Sequence, residues 1–468
     1  MTAAAHIVAM RWTAAVVVAL LTLAQVASAD TSPPSPATRA TQSPDRVVPD
    51  YSGLGRPSSA GNVALWVPRL LLSPVYLVSE YVLRRPMGVA IPAAEHADLP
   101  EKIYDFFTFG PEHKLGVLPI ALAEFNFNPS VGVYAFWNDA GFKGDSLVLH
   151  AEAWPTDWVG VSLAQRIAIG KARTLQLHVS GLRRPDRVFY GLGPTSLASS
   201  ESRYGVDRVD GGATYEWRFW RSSRVQTAAG VRYESTYDGH YGHDPSLGQE
   251  AATRAFSVPD EFGHGYTAVY DGVVAAFDTR VPASRLGSGV RLELDAEQGS
   301  LPLQTAASGW LRYGGTAAGY VDLDGRARVL GLAVTTTFVD PLGGQPVPFT
   351  ELVYLGGDHP MVGYYVGRLV DRSAAVATMS YVWPIGPWLD GRLEVAVGNV
   401  FGTHLAALEP RLFRISGALG LAVAGMKDPT TENNDTPIEL LVGVGTETFA
   451  QGAQVDSVRV MLGVPHTF

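Results

Sequence analysis

The feature that most constrains the fold of this chain is a regular alternation of apolar and polar residues in long segments, from about residue 116 to the C-terminus. In the segment 145–153, for example, Leu149 and Ala151 alternate with His150 and Glu152. A period of two residues is the period of a β-strand. The sequence therefore predicts strands with one apolar face and one mostly polar face.

About sixteen segments of this kind can be counted, at 116–127, 130–139, 145–153, 158–168, 172–182, 203–219, 222–236, 262–279, 287–298, 306–321, 327–338, 373–384, 388–398, 411–424, 436–446 and 456–464. Most are about 9–16 residues long, whereas strands of soluble sandwiches average about 5–6 and tilted transmembrane strands need about 9–11. Aromatic residues such as Trp154 and Trp158 lie near the predicted strand ends, as in interfacial girdles. We expect an all-β fold, a 16-stranded antiparallel transmembrane β-barrel with a short N-terminal helical segment.

Composition supports the same conclusion. Hydrophobic residues make up 46% of the chain, yet no run of about 18 apolar residues follows the N-terminal region, so a spanning helix is not expected there. Only helices and closed barrels satisfy every backbone polar group within a bilayer. The net charge of −9 argues against a nucleic-acid partner, and the absence of cysteine excludes a disulfide scaffold.

The N-terminus has the pattern of a secretory signal peptide over residues 1–29. Arg11 precedes the apolar stretch 13–26, and the small residues Ala27 and Ala29 occupy positions −3 and −1 of the expected cleavage site. A membrane anchor is the alternative, but the apolar stretch is short for one. We expect cleavage, export and a location in the bacterial outer membrane.

Three further regions follow the signal peptide. Residues 30–62 are rich in Pro and Ser and are predicted to be a disordered linker. Residues 63–112 are predicted to be a short helical, membrane-proximal segment, in which Ser73 caps a helix over Val75–Arg85. This helix suits the membrane interface or the barrel, and an ordinary packing helix is an equal alternative. The barrel itself is expected over residues 113–468.

The alternation of the last predicted strand continues to the C-terminal residue of the sequence. Val460, Leu462 and Val464 alternate with Met461, Gly463 and Pro465, and the sequence stops at Phe468. In outer-membrane barrels, a final strand of alternating apolar residues with a terminal aromatic is the assembly signal. We therefore assign that role to Val460, Leu462, Val464 and Phe468.

Four short elements follow one another along the chain: FYGLGP at 189–194, LGG at 355–357 with MVGYYVGR at 361–368, YVWP at 381–384, and VGNVF at 397–401. Their order and spacing over about residues 60–468 resemble those of the BamA/TamA superfamily, also called the bacterial surface antigen family. In that family the sixth extracellular loop folds back into the barrel lumen. The resemblance implies a role in outer-membrane protein assembly or translocation, and a lumenal loop motif made of Leu355, Gly356, Gly357, Val362, Gly363, Tyr364 and Arg368.

The sequence departs from the family pattern at two paired positions. The family loop carries an Arg before its Gly-aromatic pair, and that Arg pairs with an Asp on a barrel strand. Here these positions are Val362 and Ala396. Ala396 shares its inward register with Arg392 and Glu394, and these three residues are predicted to be the wall that faces the loop. Because both partners are absent together, neither charge is left alone in the lumen.

We predict that the loop is held instead by Arg368 or Arg372, paired with Glu394 or Glu351. A second departure concerns the POTRA modules that precede the barrel in family members that insert or translocate proteins. The predicted linker and helical segment leave too few residues for such a module. Substrate capture by POTRA modules is therefore not expected.

The sequence offers no pattern for catalysis. It contains no nucleophile elbow, zincin motif, P-loop or EF-hand loop. His240, His243 and Asp244 lie close together, but they lack a helical or strand scaffold and are predicted to belong to a solvated loop rather than a metal site. We expect no catalytic residues, no cofactor and no metal; a barrel enzyme acting on lipids ranks last among the functions considered.

The leading functional hypothesis is assembly or translocation, through a weak seam between the first and last strands and through the lumenal sixth loop. The alternative is a passive pore or structural barrel. Few hydrogen bonds between residues 116–127 and residues 457–464 would favour assembly or translocation. A fully paired seam would favour the passive pore or structural barrel. The expected partners are outer-membrane lipids and unfolded outer-membrane or secreted proteins, with no nucleic acid and a monomeric barrel.

Overall fold

The computed structural model describes residues 102, 105–110, 112–154, 157–280, 287–304, 308–323, 325, 327–357, 360–385, 389–423 and 439–463. The predicted signal peptide, the linker and most of the helical segment lie outside these residues. Two members of the predicted assembly signal, Val464 and Phe468, lie outside them as well. The domain boundaries of the N-terminal region therefore stay predictions.

Sixteen antiparallel strands form one barrel, and we number them β1 to β16. They are Leu115–Glu124, Ser130–Asn138, Asp145–Trp154, Trp158–Ile169, Arg173–Phe189, Ser202–Trp220, Ser223–Asp238, Gly265–Asp278, Gly289–Ser300, Gly309–Asp322, Val329–Pro341, Ser373–Pro384, Leu389–Phe401, Arg414–Val423, Glu439–Thr446 and Val455–Gly463. Each pairs with the next in the chain, and β16 pairs with β1. The predicted sixteen-stranded barrel is confirmed.

The two faces of the strands carry different residues, as the alternation predicts. On β9, Leu292 and Leu294 face outward, and 58% of Leu294 is exposed. Glu293 and Asp295 face the lumen between them. Apolar side chains therefore form an outer band, and charged side chains line much of the interior.

Strand length varies around the barrel. β5 and β6 have 17 and 19 residues, whereas β15 and β16 have 8 and 9. The sequence predicted the fifth strand only over 172–182, because the charged stretch that follows breaks the apolar alternation. In the structure the strand continues to Phe189, and a register shift between Arg184 and Arg187 accommodates Pro185.

The remaining elements are short. A helix over Leu247–Ala252 begins with a capping box formed by Ser246 and Gln249. Thr108–Phe109 pairs with the start of β1, and a two-stranded ladder joins Val353–Leu355 to Leu369–Asp371. Single 3-10 turns occupy Ala198–Ser200, Phe349–Glu351, Thr403–Leu405, Pro410–Leu412 and Phe449–Gln451. Within the described part of the chain, no helix is long and apolar enough to cross a membrane.

Candidate functional site

We call the segment between β11 and β12 the sixth loop. Its described residues 347–357 and 360–371 pack inside the barrel. Its centre is the short ladder of Val353–Leu355 with Leu369–Asp371. Gly356 follows with a φ of +95°, and a Cβ there would lie 2.6 Å from the Tyr365 carbonyl oxygen. Only glycine fits this left-handed, crowded position. The LGG element therefore sets the fold of the loop.

The base of the loop is anchored by a buried carboxylate. Glu351 is contacted by Arg232 and Arg312 at 3.0 Å each, and it accepts a hydrogen bond from the Tyr266 hydroxyl at 2.9 Å. Burial alone would raise the pKa of the Glu351 carboxyl, but the guanidinium groups of Arg232 and Arg312 outweigh burial and hold that pKa below its ordinary value. The carboxylate is thus charged at neutral pH and joins the loop to β7 and β10.

Aromatic packing surrounds this anchor. The ring of Phe349 makes edge contacts with Phe189, Tyr204 and Phe262, with centroids 5.6, 5.2 and 6.3 Å away. Phe189 opens the FYGLGP element that the sequence singled out. The element therefore helps to build the wall against which the base of the loop packs.

Residues 362–365 form the tip of the loop. The tip reaches the opposite wall, at β14, β15 and β16. The backbone N–H of Gly363 donates to the Ser416 hydroxyl at 2.8 Å, and the Ser457 hydroxyl donates to the Gly363 carbonyl at 2.9 Å. The Tyr364 hydroxyl accepts from the backbone N–H of Thr446 at 2.7 Å. The loop therefore spans the lumen from the wall formed by β5 to β10 to the strands that close the barrel.

Gly363 has no room for a side chain. A Cβ at this position would lie 2.4 Å from the carbonyl oxygen of Val444 and 2.9 Å from Ser416 Oγ. We expect Gly363→Ala to reduce the free energy of unfolding by about 1–3 kcal/mol and to displace the tip, because the backbone of β15 cannot give way cheaply. Urea unfolding in detergent micelles, with limited proteolysis of the loop, measures both effects.

Gly344, on the same loop, is the matched control. A Cβ there meets nothing within 4 Å, and its φ is not left-handed. Gly344→Ala should leave stability and proteolysis unchanged. If Gly363→Ala behaved like Gly344→Ala, the close packing of the tip against β15 would be contradicted.

Arg368 is buried, but its partners differ from the predicted ones. It contacts Asp456 at 2.7 Å and donates to the Ser196 hydroxyl at 2.8 Å. Asp456 also contacts Arg414 at 3.0 Å. Two fully buried guanidinium groups thus share one buried carboxylate, and the carbonyl of Ser196 accepts from both of them, at 3.0 and 2.8 Å. Arg368 therefore joins the loop directly to β16 and, through the shared Asp456 and Ser196, to Arg414 of β14.

The four predicted pairings of the loop are therefore wrong. Glu394 contacts Arg392 at 2.6 Å, on the same strand. Arg372 lies 3.7 Å from Asp340. Glu351 is bound by arginines of the barrel wall, so it anchors the loop without pairing with a loop arginine. The reason is geometric: Arg368 lies beside β16, and its partner, Asp456, belongs to that strand.

Val362 and Ala396 are both buried and apolar. Val362 packs with Ala418, Leu441 and Met461, and Leu122 of β1 lies against this cluster. Ala396 belongs to the larger cluster that includes residues of the loop. The two residues lie in separate apolar clusters, and neither carries a charge that would need a partner.

The seam, where β16 meets β1, is paired over a short stretch of the described residues. Met461, Leu462 and Gly463 pair with Glu124, Ala123 and Leu122, and the backbone N–H of Phe125 donates to the Val460 carbonyl at 2.8 Å. Val460 and Leu462, both in the predicted assembly signal, face outward.

The seam also carries charged side chains that the sequence argument missed. Arg459 of β16 contacts Glu124 of β1 at 2.5 Å. Its Nη1 donates to the carbonyls of Gly357 and Val362 in the loop, at 2.9 and 3.2 Å. A signal for this pair was present. Glu124 is the one charged residue of β1, Arg459 lies in the inward register of β16, and closure of a barrel makes the first and last strands neighbours.

A lumenal cavity of about 800 Å³ lies between the loop and the wall. Charged side chains line it, among them Arg184, Arg208 and Arg232 with Asp210 and Glu234. Among the described residues, no group of three or more His, Cys, Asp or Glu side chains is placed to hold a metal ion.

No family model and no curated protein matches this sequence. Among solved structures, BamA from Haemophilus ducreyi, solved without POTRA domains 1–3, is similar with a TM-score of 0.50 and 12% identity, over 75% of this chain and 70% of that one. CdiB from Acinetobacter baumannii has a TM-score of 0.45 and 8% identity, over 75% and 59% of the two chains. OccK11 (OpdR) from Pseudomonas aeruginosa has a TM-score of 0.35 and 10% identity, over 75% and 94%. At this level of identity, the likeness to BamA shows that the two proteins share a fold.

Proposed function

We propose that this chain is an outer-membrane protein of the BamA/TamA type, which passes polypeptide substrates into or across the membrane at the seam between β16 and β1. The proposal joins the barrel fold to the sequence motifs of the sixth loop. Its expected partners are outer-membrane lipids and unfolded outer-membrane or secreted proteins. The barrel is taken to act as a monomer, exported by the predicted signal peptide.

The observation that carries the proposal is the weak pairing at the seam. In the described residues, β16 pairs with β1 at three positions, whereas β1 pairs with β2 at eight. Residues 464–468 lie outside the described part of the chain. Over the described residues, the seam therefore has fewer ladder pairs to break than the ladders on either side of it.

Pro119 weakens the same edge of β1. The N–H of Phe125 donates across the seam, and the backbone groups of alternate residues in a strand point the same way. The backbone nitrogen of Pro119 therefore faces the seam, and proline has no N–H to donate. β1 thus lacks one hydrogen-bond donor on the edge where a substrate strand would have to enter.

The sixth loop argues against an open pore, because it crosses the lumen and is fixed at both ends. A passive or structural barrel is favoured by a different observation, the replacement of the family Arg and Asp by Val362 and Ala396. The two hypotheses differ in what happens when the seam is locked. Only a protein that works through its seam loses activity.

A disulfide across the seam tests the proposal. Ala123 and Leu462 are register partners on the outer face, and partner Cα atoms about 4.5–5.5 Å apart lie within disulfide range. The chain has no cysteine of its own, so Ala123→Cys with Leu462→Cys gives one defined crosslink. In liposomes, we expect the reduced protein to insert an unfolded barrel substrate severalfold faster than empty liposomes, and the oxidised protein to match them.

The control places the crosslink across an ordinary ladder. Leu440 of β15 is also a register partner of Leu462, so Leu440→Cys with Leu462→Cys should leave insertion unchanged in both redox states. Insertion at the rate of empty liposomes by the reduced protein would favour the passive barrel. Insertion above that rate that stays equal when the seam is locked would contradict a route through the seam.

A further inference from the structure

The seam is bridged by side chains as well as by its short ladder. Arg459 projects inward from β16 and is 4% exposed. Its Nε contacts Glu124 of β1 at 2.5 Å, and its Nη1 donates to the carbonyls of Gly357 and Val362 in the sixth loop. One guanidinium group thus holds the last strand, the first strand and the loop together, with charge-assisted hydrogen bonds in a water-poor setting.

Tyr365 of the loop also contacts both sides of the seam. Its hydroxyl donates to the Val458 carbonyl of β16 at 2.6 Å. Its ring makes an edge contact with Phe127, just beyond the end of β1, with centroids 5.2 Å apart. Burial raises the pKa of the Tyr365 hydroxyl to about 12, so it remains a donor at neutral pH.

Val362 provides a third bridge, which is apolar. It packs against Met461 of β16, and Leu122 of β1 lies against the same cluster. Met461 and Leu122 stand on the two strands within the three-residue ladder. Three separate groups, one ionic, one aromatic and one aliphatic, therefore join the loop tip to both strands of the seam.

We infer that the sixth loop is a clamp on the seam, so that withdrawal of its tip and parting of β16 from β1 belong to one coupled equilibrium. The closed state is held by the direct pair of Arg459 with Glu124 and by contacts of both strands with the loop, and the loop contacts exist only while the tip is docked. By linkage, whatever displaces the tip favours an open seam, and whatever opens the seam loosens the tip. The biological meaning of this clamp rests on the proposed function, but the coupling itself can be measured without it.

The experiment uses the full chain in lipid vesicles with spin labels on Ala123→Cys and Leu462→Cys. Labels on register partners broaden each other's electron paramagnetic resonance spectrum while the seam is paired. We expect Arg459→Gln to raise the ratio of parted to paired seams about tenfold, because it removes a charge-assisted bond worth about 1.5 kcal/mol or more. Tyr365→Phe should also raise the ratio of parted to paired seams, and its effect should add to that of Arg459→Gln.

Labels on Leu440→Cys and Leu462→Cys are the control, since they span the β15–β16 ladder. Their broadening should stay the same in every background. Glu124→Gln provides a second variant, which breaks the bridge to β1 and leaves Arg459 with its loop carbonyls, should Arg459→Gln fail to fold. Gel mobility of the unheated protein reports folding.

Unchanged broadening at the seam in folded Glu124→Gln and in folded Arg459→Gln combined with Tyr365→Phe would overturn the clamp. Broadening lost equally across the β15–β16 ladder would overturn it as well, because the effect would then be general loosening. Neither result depends on substrate insertion. A clamp that opens as expected in a protein without insertion activity would instead contradict the proposed function alone.

Discussion

Replacing Asp456 with asparagine is expected to reduce the free energy of unfolding by about 3–5 kcal/mol, one of the largest effects of any single substitution in this barrel. The carboxylate is fully buried and lies between Arg368 and Arg414, which are themselves buried. Without it, two guanidinium groups keep their charge with no counter-charge beside them. Urea unfolding in micelles, followed by gel mobility and tryptophan fluorescence, gives the difference.

A second substitution tests the reason for that loss. Arg414→Gln in the Asp456→Asn background removes one of the two unbalanced charges. The free energy of unfolding of the double variant should therefore fall by less than the sum of the decreases in the two single variants. Glu409→Gln is the control, because Glu409 and Arg411 form an exposed pair, 46% and 71% accessible, worth about 0–1 kcal/mol. Strict additivity of the double variant would contradict the shared-carboxylate account.

Glu351→Ala is expected to reduce the free energy of unfolding by about 1–3 kcal/mol, less than Asp456→Asn, because Arg232 and Arg312 lose the carboxylate between them but keep Asp210 and Glu297 as partners. Its consequence for the lumen differs. Asp456 holds the loop near the seam, whereas Glu351 holds its base, so the base should leave the wall in this variant. We expect single-channel recording to show ion conductance in Glu351→Ala that the parent protein lacks, with Glu409→Gln again as the control.

Acid provides a separate test of the same anchor. The folded-state pKa of Glu351 lies below the ordinary glutamate value of 4.5. The contribution of this carboxylate to folding stability is therefore fully present above pH 4.5, and it is lost as the pH falls through the lower folded-state pKa. The parent protein should therefore lose stability below about pH 4.5, and the loss should be smaller in Glu351→Ala. Identical acid profiles for the two proteins would show that the carboxylate is not the stabilising group.

The sequence predicts the barrel well because each strand signals its own existence. In β9, for instance, the alternation of Leu292 and Leu294 with Glu293 and Asp295 needs no partner to be recognised. The extension of β5 to Phe189 is different, because it rests on pairing with β6 across a register shift. Where a strand is stabilised by pairing with its neighbour more than by its own alternation, the strand predicted from the sequence is too short.

The site was predicted less completely, for a related reason. The glycines of the LGG element and the buried position of the loop followed from the resemblance. The ion-pair partners did not, because they depend on which wall the loop tip meets. Asp456 and Arg459 lie about ninety residues beyond the tip along the chain, and only closure of the barrel brings them there. Inward charges on the first and last strands are the signal that would have identified the pair of Glu124 and Arg459.

The bridge between those two residues also bears on the order of folding. They are separated by 335 positions, whereas the hairpin contact between Ser130 and Glu152 spans 22. The longer separation equals the shorter one doubled about four times, which raises the entropic cost of bringing the two residues together by about 2.5 kcal/mol. The bridge between Glu124 and Arg459 should therefore form among the last contacts. Because the loop tip lies against the inner face of β14 to β16, a tip that docks before the seam closes offers these strands a surface to pack on. The sixth loop would then serve as a template for barrel closure, and a chain with a displaced loop should fold more slowly even where its final stability is restored.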